Sequence, residues 1–347
     1  MIRLLSRAPA PFPPSGAAQN RRTLAVTAGL FVLVFVAAVI SVGAGDMFIR
    51  PDRVLAALFG SGSEAHIMVV QKLRLPRILT GLLAGAALAG SGAILQGVLR
   101  NPMASPDIIG VTGGASVSAI MFLTYGIGLS GIGWLPVFAF AGGVLVSVLL
   151  YVLAWKNGAS PVRLILIGIG MSSLTSAGTT MMIIFNPRND AAMAYVWMTG
   201  SVYAANWTNV ATILPWVAVL LPLAFLYARH VTISLLGDET AISAGSPVES
   251  KRRVLLLISV GLAASAVSVA GNVGFVGLLA PHMARRLVGS NFARLLPVSV
   301  LLGALTVLVA DLAGRTFFLP LDVPVGVFTS MVGAPFFIYL LYRNRNK

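Results

Sequence analysis

Apolar runs of about twenty residues, divided by short polar segments, recur along the chain from Leu24 to Tyr342. A helix needs roughly 20 apolar residues to cross a bilayer core, and strands of a soluble domain would alternate instead. The pattern predicts ten spans, at 24–43, 77–99, 107–125, 133–155, 163–185, 207–228, 253–272, 274–289, 297–315 and 325–342. The third and eighth are short or interrupted by glycine, and hydropathy alone would merge the seventh with the eighth. Three polar stretches separate groups of spans: 44–76, the aromatic-bearing 186–206 (Tyr195, Trp197, Tyr203) and 229–252. Ahead of the first span, residues 1–23 are polar and carry Pro9, Pro11, Pro13 and Pro14, the composition of a disordered arm. Residues 24–347 then form one ten-helix transmembrane domain. Arg21-Arg22 before an apolar run suits a signal peptide, but Leu24–Val42 is long for one and no A-x-A site follows, so the run reads as a retained span.

Composition sharpens this picture. Of 347 residues, 57% are hydrophobic and 10% charged, against roughly 25% charged in ordinary globular proteins. Such a chain cannot cover itself with polar groups, which excludes a soluble enzyme. The formal charge of +14 is scattered between apolar runs and forms no stripe, so nucleic acid is not a partner. Charge also decides between nine spans and ten. With ten spans and the N-terminus inside, seven of the 24 Lys and Arg residues fall outside (Arg50, Arg53, Lys72, Arg74, Arg77, Arg188, Arg315) and the remaining 17 inside. Nine spans would put the basic tail Arg343–Lys347 outside, against the positive-inside rule. Both termini are therefore expected in the cytosol. Absence of cysteine removes disulfides, thiolate nucleophiles and Cys-ligated metal. A loose echo links Gly90–Gly97 and the following Arg100-Asn101-Pro102 to Gly271–Gly277 and Pro281-His282, in halves of opposite starting orientation, as in transporters built from inverted repeats.

Little of the sequence fits catalysis. No Gly-Lys pair occurs, so there is no Walker A loop, and ATP-driven work would need another chain. Gly43-Ala44-Gly45-Asp46 matches the G-x-G-D element of intramembrane aspartyl proteases, but no other span offers a second aspartate in a suitable motif. Gly170-Met171-Ser172-Ser173 is the nearest match to an intramembrane serine site, and His230 and His282 both fall at the cytosolic ends of spans. The three histidines share no metal-ligand spacing, so no metal site is expected. Asp311 is deep in the ninth span with Arg315 four residues on, the spacing of a local ion pair. One deep carboxylate is too few for a proton relay. In 229–252, Leu235, Leu236, Ala241, Ile242 and Ala244 make a small apolar face beside Asp238 and Glu239, suited to docking in a groove of another protein.

Long colinear motifs then bring in a resemblance. Arg74-Leu75-Pro76-Arg77, Gly85–Gly92, Gln96-Gly97 and Asn101–Gly110 resemble FecCD-type permeases, the membrane subunits of ABC importers for ferric siderophores, haem and cobalamin. In the second half Gly237-Asp238, Gly274–Arg285, Ala310–Arg315, Pro324-Val325-Gly326 and Gly333–Phe337 fit as well, so the similarity covers about residues 24–343. Met103 stands where the family often has Leu, and Asp322-Val323 where it often has Glu-Leu.

The resemblance implies an all-α, polytopic type II importer permease of about ten helices. It works as a dimer, with an identical or homologous second subunit and the path between the copies. Two ATPase subunits dock below and carry the ATP and Mg; this chain itself binds no cofactor. A periplasmic or lipid-anchored binding protein delivers substrate to the inner membrane. Gly237, Asp238, Glu239, Ala241 and Gly245 are implied in ATPase coupling. Asn101, Met103, Ser160, Pro161 and Val162 are implied in the cytosolic gate. Arg74, Arg77 and Arg315 match arginines that dock the binding protein. Ser172, Ser176, Thr179 and Thr180 supply hydroxyls for the path. Asn101–Gly110 and Trp197–Tyr203 look more like ferric-siderophore permeases than haem or cobalamin ones, which remain the alternative substrates of the same family; an intramembrane protease is the alternative from another class.

Overall fold

The computed structural model describes residues 16–126, 131–156, 161–185, 191–243, 245, 247–319 and 321–344. Fourteen helices run through them: α1 Gly16–Gly43, α2 Pro51–Leu58, α3 Glu64–Val98, α4 Val111–Gly126, α5 Leu135–Ala154, α6 Pro161–Ile184, α7 Ala191–Thr199, α8 Trp207–Leu226, α9 Ala228–Ser234, α10 Asp238–Ser243, α11 Val248–Ala270, α12 Val276–Val288, α13 Phe292–Thr316 and α14 Val325–Asn344. Ten of these coincide with the ten expected spans. Seven are long and apolar enough to cross a membrane. The other three, α4, α12 and α14, are shorter or less apolar. As the placement of basic residues implied, the seventh and eighth spans are separate helices, because the backbone turns at Gly271 (φ 66°) and Phe275 (φ 65°).

Two stretches differ from the sequence reading. The polar stretch 44–76 is not all loop. It holds α2 and the first turns of α3, which begins at Glu64, where the Ser63 hydroxyl caps the backbone N–H of His66. Residues Met68–Arg74 are wound as π-helix just before Pro76, whose missing N–H interrupts the ordinary ladder. The second is 186–206. Its described part contains α7, whose end is tied into the bundle: Ser201 N–H donates to the Ala270 carbonyl at 2.8 Å, and Gly326 N–H to the Gly200 carbonyl at 3.0 Å. The short apolar run and its aromatics hid a half-length helix from a twenty-residue window.

α3 is the centre of the bundle, packed against α13, α11, α12 and α8, and most of its residues from Ala84 to Val98 are buried. Lipid is as apolar as leucine, so helices in a membrane associate through close packing and polar contacts rather than hydrophobic exclusion. Glycine allows the closest crossings. A Cβ on Gly92 would lie 1.8 Å from the Gly277 carbonyl oxygen, and one on Gly85 would lie 2.3 Å from that of Gly303. Polar contacts add direction: Ser91 Oγ donates to the Ser259 carbonyl at 2.8 Å. The buried Gln96 amide donates to the Leu278 carbonyl and accepts from Arg285 at 3.1 Å. The two echoing segments therefore pack on each other across the α3–α12 crossing. α1 lies at the edge, with Phe31 and Phe35 exposed as expected of a lipid-facing helix.

Candidate transport site

Three groups of residues form the site: a segment at the α9–α10 face, a cavity in the middle, and an ion cluster at the opposite face. The α9–α10 face comes first. α10 is one and a half turns, entered through Gly237 (φ 112°) and left through Gly245 (φ 75°), both in the region that favours glycine. Ala241 is fully buried against the bundle, whereas Leu236, Glu239 and Ile242 are exposed. The short helix and the turn before it thus show one apolar side chain each outward, and the helix is anchored by a small one. Asp238 supplies the other anchor. It is ion-paired to Arg100, which directly follows α3, and to Arg252 of α11 at 2.9 Å. Arg252 also meets Glu249 at 3.3 Å.

Arg100 opens the segment carrying the expected gate residues, and its own φ is +50°. The Asn101 side-chain carbonyl accepts the Met103 N–H at 2.9 Å, a local turn that fixes the half-buried Met103. Val162 is exposed at the start of α6 and Pro161 opens that helix; Ser160 is outside the described residues, as are residues 1–15, Arg188, Ala244 and Lys347. The Asp238–Arg100 contact therefore joins the exposed α10 directly to the 101–103 turn.

A cavity of about 620 Å³ lies above this turn. Ser105, Asp107 and Thr112 line it from the α3–α4 connection, Thr199 from α7, Asn272 and Phe275 from the α11–α12 break, and Ser330 from α14. Three glycines let these elements meet: a Cβ on Gly326 would lie 1.7 Å from the Thr199 carbonyl oxygen, one on Gly271 2.2 Å from that of Trp197, and one on Gly200 2.6 Å from that of Asn272. The lining mixes hydroxyls, an amide, the Asp107 carboxylate and apolar side chains. Among the described residues no three His, Asp or Glu side chains converge as metal ligands would. On α6, Ser172, Ser176 and Thr180 share one exposed face at i, i+4 and i+8, and an open groove runs along Ser173, Ser176 and Thr180. Thr179 is different. It is buried on the inner side of α6, as is Thr175, so it lies off the face that carries the other hydroxyls.

The opposite face holds a buried ion cluster. Arg77 of α3 grips Asp322 with both terminal nitrogens, at 2.6 and 2.8 Å, and contacts Asp311 of α13 at 2.7 Å. Its guanidinium also lies 5.7 Å from the Tyr203 ring. Arg315 approaches Asp311 at 3.5 Å and donates to the Ala44 carbonyl at 2.8 Å and to Ser41. Arg74 donates to the Val42 and Met47 carbonyls. The expected Asp311–Arg315 pair is present, but a second arginine joins it. Asp311 has Arg77, 234 residues away, as its nearer partner, while Arg315 is the looser one. Of the three arginines expected at a binding-protein contact, Arg77 and Arg315 are buried in ion pairs with side chains 13% and 7% exposed, and Arg74 is buried against the end of α1 and the Met47 carbonyl. Asp46 of the G-x-G-D match is exposed beyond the end of α1. Sequence spacing had no means of finding Gln96, Arg100, Asn272 or Asp322 as partners, because each contact crosses more than a hundred residues or depends on a helix break.

Residues 32–343 match the FecCD transport family. The chain belongs to that family. FecCD relatives in several bacteria align over nearly their whole length. The chain is 50% identical to the probable siderophore transport system permease protein YfhA of Bacillus subtilis, over 89% of this chain and 91% of the relative. It is 45% identical to the achromobactin transport system permease protein CbrC of Dickeya dadantii, over 94% of each. It is 41% identical to the iron(3+)-hydroxamate import system permease protein FhuG of Bacillus subtilis, over 94% and 98%. The fold also superposes on an inward-facing metal-chelate-type ABC transporter with a TM-score of 0.82 at 30% identity, covering 92% of this chain and 99% of that one. This FecCD protein is thus a multi-pass membrane permease subunit, and the fold expected from its sequence is the one it has.

Proposed function

We propose that this FecCD permease carries a ferric siderophore across the cytoplasmic membrane, working as a dimer with both termini in the cytosol. The observation that carries this reading is the 620 Å³ cavity lined by hydroxyl, amide and apolar groups and one carboxylate, Asp107, at the junction of α7, α14 and the α11–α12 break. A cavity of that size suits a bulky chelate, and no cluster of metal ligands strips the iron from it. The names of the relatives, which concern siderophores, achromobactin and ferric hydroxamate, support the same substrate class. Two ATPase subunits dock on the exposed Leu236 and Ile242 of the α9–α10 segment and supply ATP and Mg, and a binding protein delivers the chelate at the opposite face. Movement of α10 reaches the gate turn at Asn101 and Met103 through Asp238 and Arg100. Substrate passes the Ser172, Ser176 and Thr180 face of α6 between the two copies.

Proteoliposomes holding the permease with its ATPase, and given the binding protein, test this. Radiolabelled iron offered as hydroxamate, catecholate and carboxylate chelates should accumulate for at least one of them with ATP inside. Uptake of haem or cobalamin with no uptake of any ferric chelate overturns the substrate reading, and ATP hydrolysis by this chain alone overturns the division of labour. The gate gives a second expected result. Asn101→Ala removes the bond that holds the turn, and Met103→Gly removes its bulk, so the double variant should leak small solutes through the idle transporter. Leak equal to wild type in the same vesicles would move the gate elsewhere.

A further inference from the structure

A second cavity, of about 380 Å³, is unrelated to the transport path. It is a crevice between α5, α8 and α11, and its walls are almost entirely apolar: Phe140, Val144, Val148, Trp216, Leu257 and Val260. Val148, Trp216 and Leu257 are exposed, so the crevice opens on the outside of the bundle, where lipid lies. From Phe140 to Tyr151 along α5 is eleven residues, about 16 Å at 1.5 Å per residue. That is close to one leaflet of a hydrocarbon core about 30 Å thick. The far end is closed by Phe140 against Trp216, with ring centroids 4.6 Å apart.

The near end is polar and basic. The Tyr151 hydroxyl is enclosed there and has no hydrogen-bond partner among the described residues. Arg253 forms the rim. It lies 5.9 Å from the Trp155 ring and makes no ion pair among the described residues. Lys156 and Arg163 meet beside it, with Arg163 donating to the Lys156 carbonyl at 3.3 Å. On the same helix, Lys251 stacks over Tyr227 at 4.9 Å. The nearby carboxylate, Glu249, is taken by Arg252.

We propose that this crevice binds one acyl chain of an anionic phospholipid, with the ester region at the Tyr151 hydroxyl and the headgroup phosphate at Arg253. The apolar slot has the length of one chain, the Tyr151 hydroxyl needs an acceptor at ester depth, and the basic residues of the rim outnumber its one carboxylate, Glu249, which is ion-paired to Arg252. The leaflet assignment rests on the topology proposed above, which puts this end of the crevice at the cytosolic leaflet. An anionic lipid there would tie α5, α8 and α11 together behind the gate.

Native mass spectrometry of the full chain, purified in detergent and exposed to equal phosphatidylglycerol and phosphatidylcholine, reads the site directly. Wild type should retain phosphatidylglycerol preferentially. Arg253→Ala should weaken that retention about fivefold, the effect of one basic residue at a membrane surface. Tyr151→Phe should weaken both lipids slightly, and Val148→Trp, which fills the slot, should abolish retention of both while the chain stays monodisperse. Equal retention of the two lipids, or phosphatidylglycerol retention that Val148→Trp leaves unchanged, overturns the proposal. Photo-crosslinking from position 148 to another protein and not to lipid overturns it as well. Because the chain lacks cysteine, a single Lys156→Cys labelled from each side of sealed vesicles tests the topology separately: labelling from outside only would sink the leaflet assignment without touching lipid binding.

Discussion

Arg77→Ala is expected to destabilise the protein more than any other single change at the ion cluster, by roughly 3–5 kcal/mol, the usual cost of leaving a buried charge without its partner. Asp311 is 2% exposed and Asp322 24%, and both rely on Arg77. Arg315, at 3.5 Å from Asp311 and outside hydrogen-bond geometry, is too distant to replace it. The expected observation is a lower melting temperature by fluorescence-detected gel filtration, and less protein recovered in the membrane. Adding Asp311→Asn and Asp322→Asn should recover part of the loss, since the orphaned charges are then gone. Wild-type melting of Arg77→Ala, or further loss in the triple variant, would show that the cluster does not bear on the fold. The result also matters for docking, since loss of binding-protein association in an Arg77 variant can arise from this collapse. Asp322 precedes α14, so the same clamp fixes where the helix lining the cavity begins.

Asp238→Lys should uncouple ATP hydrolysis from uptake. It places a third cation between Arg100 and Arg252 and releases α10 from the turn that carries Asn101 and Met103. In the reconstituted transporter, uptake should fall at least about tenfold, equivalent to losing ~1.4 kcal/mol of coupling, while the ATPase still binds. Arg100→Glu in the Asp238→Lys background should restore part of the uptake. If Asp238→Lys transports at the wild-type rate, movement does not travel through this bridge.

The number and order of the ten spans were legible from residue pattern because every bilayer span must satisfy its own backbone, so apolar length marks most of them and the charge of the flanking segments decides the count. The placement of basic residues likewise separated the seventh and eighth spans, which the structure has as α11 and α12. The missing Gly-Lys pair ruled out a Walker A loop without any structure. What stayed hidden was pairing. Asp311 and Arg315 are one helical turn apart in sequence, yet Asp311 bonds best to Arg77, because α3 and α13 cross where Gly85 meets Gly303 and bring Arg77 alongside. Nothing local in Arg74 or Arg315 reveals that they close onto the end of α1, and a pattern of basic residues on one side reads the same whether they face outward or inward. α7 escaped notice because nine residues do not fill a span, and only its seat on Gly271 and Gly326 makes it stable there. Sequence periodicity records which face of a helix is apolar; which helix that face meets depends on contacts between residues hundreds of positions apart, and those exist only once the bundle has closed.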